Sequence, residues 1–137
     1  MTTSDRTEHP RLALLIGAPF AGDVAMHNDV VAMYEVLRKR GLAPEEILSL
    51  DGKLDRRLLL GLLRAVRQRM ASWLGGELFL YVSGHGFFTA ATTAQARVGV
   101  WLQKATGGSR RQRVYWGELF ETLSVPASVT FTLLPDH

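Results

Sequence analysis

Short, mostly apolar runs recur at residues 12–16 (LALLI), 47–50 (ILSL), 78–82 (LFLYV) and 129–134 (VTFTLL). Runs of that length with little polar alternation predict strands covered on both faces, as in a parallel sheet. Between them the apolar spacing changes to the helical period. Val30, Met33, Tyr34 and Leu37 predict a helix over residues 29–40, capped by Asn28 or Asp29, with Arg38, Lys39 and Arg40 in its last turn and Gly41 as its stop. Pro44, Glu45 and Glu46 predict a turn into the second strand. Asp55 caps or opens a longer helix reaching about Trp73, with Leu59, Leu62, Leu63, Val66, Met70 and Trp73 as its buried stripe, and Arg56, Arg57, Arg64 and Arg67 toward water. Gly75 and Gly76 end it.

The remainder is less regular. Residues 87–95 predict a small-residue loop, and residues 97–103 (RVGVWLQ) alternate as a strand or one arm of a hairpin. Residues 104–113, rich in Gly, Ser and Arg, predict an exposed loop. Val114, Tyr115 and Trp116 lead into a short helix over residues 117–124, with Leu119, Phe120 and Leu123 inward, which Pro126 breaks. Strands alternating with helices imply an α/β fold: a mainly parallel sheet, right-handed crossovers and helices on both faces.

One run ends unusually. In LFLYVSGHG (residues 78–86) the third strand stops at a histidine between Gly84 and Gly86. Flanking glycines allow a tight turn and a close approach of neighbouring chain, which presents His85 at the carboxyl end of the strand. Open α/β sheets form their sites there. The ends of the first, third and fourth strands should share one edge, with a pocket lined by loops carrying Asp23, Asp29, His85, Asp136 and His137. Asp29 is the weaker member, since a helix cap explains it.

Composition narrows the classes. The chain of 137 residues is one domain, residues 11–137, behind a flexible polar tail, residues 1–10. No run approaches the length needed to span a bilayer, and the opening has no signal-peptide pattern, so no membrane association is expected. With no cysteine there are no disulfides and no thiolate metal sites, which fits a cytoplasmic protein. The net charge of +3 is mild, and its basic clusters at residues 56–69 and 109–113 carry no aromatic platform, so nucleic acid is not an expected partner. His27, His85, Asp23 and Asp136 lack metal-ligand spacing. Neither metal nor other cofactor is expected. A receiver-like domain would place acidic residues after the first strand, which here ends in Gly17.

In order, ALLIG with HNDVVAMYEVL, ILSLDG with its long helix, LFLYVSGHG, and VYWGELFETL with VTFTLLPD resemble the caspase and metacaspase class of cysteine peptidases from about Arg11 to the last residue. The resemblance implies a caspase-like three-layer sandwich, incomplete on its C-terminal side. It implies that His85 is the general base or ion-pair partner of a cysteine, and that the amide of Gly86 helps to form the oxyanion hole. Such chemistry needs a thiolate, an imidazolium beside it and N–H groups aimed at the developing oxyanion.

The family's cysteine follows the fourth strand as Asp, any residue, Cys. Asp136 and His137 fill the first two places, and a histidine-to-cysteine spacing of about 50 residues would put the nucleophile directly after His137. This chain should therefore be inactive alone. Three expectations follow: a fragment of an active protease, a piece made by cleavage or by a split gene, or a catalytically inactive adaptor that dimerises through the fold. A C-terminal remainder, a partner chain or a second copy would then complete the sheet. Metacaspases cut after Arg or Lys, and the resemblance places Asp136 in the substrate pocket, where a carboxylate pairs with a basic P1 side chain. Asp23 is a second candidate acid. The loop around Arg111 and Arg113 would suit such an enzyme as a self-cleavage site, although an ordinary solvated loop is the stronger reading of it.

Overall fold

The computed structural model describes residues 9–18, 24–52, 54–89, 97–102 and 113–136. Four of its strands are the expected apolar runs: β1 (Arg11–Gly17), β2 (Ile47–Asp51), β3 (Glu77–Ser83) and β7 (Thr130–Asp136). They pair in parallel in the order β2-β1-β3-β7. Pro10, just ahead of β1, is already tied down, its carbonyl accepting from the Glu77 amide at 2.9 Å.

Period-two alternation divides the core between the two faces. Leu12, Leu14 and Ile16 of β1 join Leu78, Leu80 and Val82 of β3 beneath α2 (Arg56–Met70) and α3 (Trp116–Leu123). Ala13, Leu15 and Tyr81 face the other way, against Val30 and Leu37 of α1 (Ala25–Lys39). The result is an α/β arrangement of three layers. Right-handed crossovers account for it: α1 returns the chain from β1 to β2 on one face, and α2 returns it from β2 to β3 on the other. The carboxylate of Asp55 caps α2 as expected, accepting from the Leu58 amide at 2.7 Å.

Other expectations are corrected. α1 begins at Ala25, four residues before Asp29, and neither Asn28 nor Asp29 caps it; the N-cap is Val24, with no side-chain bond. Residues 87–89, expected at the start of a loop, are strand, and the rest of that expected loop lies outside the described residues: β4 (His85–Thr89), β5 (Arg97–Trp101) and β6 (Arg113–Tyr115) form a separate antiparallel sheet. Gly99 makes this sheet close, because a Cβ there would run into the Val114 carbonyl and the Phe87 ring. Arg113, expected in a loop, pairs with Trp101 and is half-buried. Phe120 lies 40 % exposed rather than inward, stacked on Trp116. β7 is half-buried: Phe131 and Leu133 pack on the α2 and α3 side, while Thr132 and Leu134 are exposed. An edge position explains its polar alternation, and among the described residues no strand pairs with its outer side.

Candidate active site at the carboxyl edge

The register of the main sheet aligns four strand ends in one row. Asp51 pairs with Gly17, Gly17 with Ser83, and Ser83 with Asp136. Chain order reverses between β1 and β3, the position at which open α/β sheets hold ligands. Gly17 lets α1 close over that point, since a Cβ there would lie 2.9 Å from Val30 Cγ2 and 3.1 Å from the Met26 carbonyl oxygen.

Tyr81 and Ser83, both on the α1 face of β3, organise the carboxylates. The Ser83 hydroxyl donates to Asp29 Oδ2 at 2.7 Å. The Tyr81 hydroxyl donates to Asp136 Oδ2 at 2.8 Å. Burial pushes the Tyr81 phenol well above its ordinary range, and the hydrogen bond to Asp136 and the charge of Asp29 push it further. Tyr81 therefore stays a donor, and two carboxylates are held by β3 on one side of the sheet.

His85 follows one glycine later. Gly84 packs tightly, its missing Cβ leaving room for Ala18 Cβ and Val100 Cγ2, each 3.1 Å from where that atom would stand. Its amide donates to the Asp136 carbonyl at 3.1 Å, so the backbone leading into His85 is bonded to the end of β7. His85 and Gly86 are both exposed on this rim.

His85, Gly86 and Asp136 thus lie together at one edge. Asp23 and His137 lie outside the described residues. Asp29, expected as a helix cap, instead lies in the second turn of α1 and accepts from Ser83, a contact that no local sequence pattern announces. His27, to which the sequence assigns no role, contacts Asp51 Oδ2 through Nδ1. Among the described residues no group of three or more His, Asp or Glu side chains is placed to hold a metal, and no helix is long and apolar enough to cross a membrane.

Comparison with models of known protein families and with curated proteins finds no match to this chain.

Proposed function

We propose that the chain is the histidine-bearing part of a metacaspase-type cysteine endopeptidase with a caspase-like fold, hydrolysing peptide bonds after arginine or lysine. The observation that carries this reading is the bond from the Gly84 amide to the Asp136 carbonyl, which joins the strand-end histidine to the end of β7 beside two ordered carboxylates.

In this reading a thiolate supplied from outside these 137 residues attacks the scissile carbonyl, since the chain contains no cysteine. His85 stabilises the thiolate as imidazolium and passes its proton to the leaving amine. The amide of Gly86 faces the oxyanion. Asp136 recognises the P1 guanidinium or ammonium, with Asp23 as the second candidate acid and the Asp29 carboxylate ordered nearby by Ser83. The partner is a peptide or protein substrate, and a C-terminal remainder, a partner chain or a second copy completes the sheet at β7.

The same lack of cysteine favours a second reading, an inactive adaptor that uses this fold to dimerise. Mass spectrometry of the natural full-length product separates the two by showing whether Cys follows His137. With that product, a fluorogenic peptide carrying Arg at P1 should be cleaved and the H85A variant should be inactive. Cleavage that tolerates H85A, or cleavage after Asp alone, overturns the peptidase reading.

A further inference from the structure

The outer face of the small sheet carries more positive charge than it neutralises. Directly opposed residues of an antiparallel pair share a face, so Phe87, Arg97, Trp101, Arg113 and Tyr115 stand on the same side. Between them and the starts of α2 and α3 lies a cavity of about 40 Å³, lined by Arg56, Arg97, Arg113, Tyr115 and Glu118.

Glu118 is already occupied. Its Oε2 accepts from Arg56 Nη2, and its Oε1 accepts from the Tyr115 amide at 3.1 Å. Among the described residues no carboxylate forms an ion pair with Arg97 or Arg113. Arg113 Nε is buried and, among the described residues, has no hydrogen-bond partner. Aromatic faces offset part of the charge: the Arg97 guanidinium carbon is 3.7 Å from the Tyr115 centroid, and that of Arg113 is 5.4 Å from Phe87, 5.8 Å from Trp101 and 5.7 Å from Tyr115. A ring face attracts a cation but does not supply the oxygens that the in-plane N–H groups require. Leaving such a buried donor unmet is unfavourable, so an oxygen-bearing anion there gains by meeting it.

We propose that this pocket binds a phosphoryl group, as inorganic phosphate or as the phosphate of a small monoester. The lining carboxylate, Glu118, is paired with Arg56 and feels Arg97 as well, yet with Arg56, Arg97 and Arg113 around it the pocket keeps an excess of positive charge that suits a dianion, and the planar guanidinium forks suit phosphate oxygens. A carboxylate carries half that charge and engages one fork. The cavity admits a compact oxyanion and excludes a base or ring. The pocket is one strand pair from the histidine, in the row His85, Trp101, Arg113, yet binding here requires no peptidase activity.

Calorimetric titration of the whole chain at constant ionic strength tests the proposal, with sodium phosphate, adenosine monophosphate and sodium acetate as separate ligands. Arg97 is exposed, so R97Q should fold as the parent does, which circular dichroism checks. Saturable binding of phosphate or the monophosphate, weakened about tenfold or more in R97Q and less in R97K, is the expected result. Tighter binding of the monophosphate assigns the monoester as the source, and equal affinities assign the free ion. No saturable binding of either phosphate ligand, acetate binding as tightly as phosphate, or unchanged affinity in R97Q overturns it.

Discussion

The hydroxyl of Ser83 donates to Asp29 Oδ2 at 2.7 Å, joining the last residue of β3 to the second turn of α1. Ser83 is 2 % exposed and is the buried polar residue of this edge. A buried hydroxyl needs a partner, so this bond both satisfies the serine and fixes where the Asp29 carboxylate stands. The substrate pocket of the proposed peptidase depends on that placement.

Ser83→Ala should therefore destabilise the fold by about 1–3 kcal/mol, because it strips a donor from a partly buried carboxylate. Urea denaturation measures the loss. A double-mutant cycle with Asp29→Asn should return a coupling energy above about 0.5 kcal/mol. Additive losses would show that the two side chains do not act together.

Tyr81→Phe isolates the second ordered carboxylate. The variant keeps the ring and loses the donor to Asp136, which should cost about 1–2 kcal/mol near neutral pH. The Tyr81 phenol is raised in the folded state, so the folded chain retains its proton where the unfolded chain releases it. Its contribution to stability is complete below about pH 10 and is lost as the pH rises further. A difference absorbance titration, parent minus Y81F, should place the tyrosine step above that value. A step at or below it contradicts the buried hydrogen bond.

The main sheet was legible in the sequence because burial on both faces removes polar alternation, and residues 12–16 and 78–82 carry that signature plainly. Asp55 and Gly41 marked helix ends for equally local reasons. The small sheet was harder to read: His85–Thr89 spans five residues, and its pairing is set by contacts with β5 and β6 rather than by its own pattern. The Asp29 bond was hidden for a related reason. A carboxylate near a helix start looks like a cap until the start is known to lie at Ala25. The pairing of Arg56 with Glu118 joins residues 62 apart in sequence, and no local pattern announces it.

That pair sets a pH dependence on the acid side. The Arg56 guanidinium, with the Tyr115 amide, holds the Glu118 carboxyl below its ordinary value despite partial burial. The folded chain therefore binds that proton less readily than the unfolded chain. The stabilisation is complete above the ordinary carboxylate range and is lost as the pH falls below it. Glu118→Gln keeps an acceptor for the Tyr115 amide and removes the charge. Urea midpoints compared between about pH 3 and about pH 6 should show a shallower slope in E118Q than in the parent. Parallel slopes would remove Glu118 as a source.

Gly99→Ala should disturb the small sheet far more than a single methyl group suggests. The added carbon would meet both the Val114 carbonyl and the Phe87 ring, one backbone and the other wedged between Trp101 and Tyr115. Overpacking of this kind costs about 1–3 kcal/mol. Near-ultraviolet circular dichroism should lose aromatic signal while the far-ultraviolet spectrum of the main sheet and helices persists. Unchanged aromatic signal would mean that β4, β5 and β6 do not pack this closely.

The outer side of β7 tests how the proposed peptidase or adaptor is completed. Beside that strand an apolar groove of about 460 Å³ is lined by Met33, Val36, Phe79 and Leu134, and α1 covers only part of this face. Leu134 is 44 % exposed. An edge strand next to uncovered apolar surface favours pairing with a further strand. The chain studied alone should associate with itself in sedimentation experiments as concentration rises through the micromolar range. Leu134→Lys puts a charge on the groove without altering the buried Phe131 and Leu133 side of the strand, and should return the chain to a monomer with little change in its unfolding midpoint. A parent chain that sediments as a monomer throughout that range removes the second copy as the completing partner.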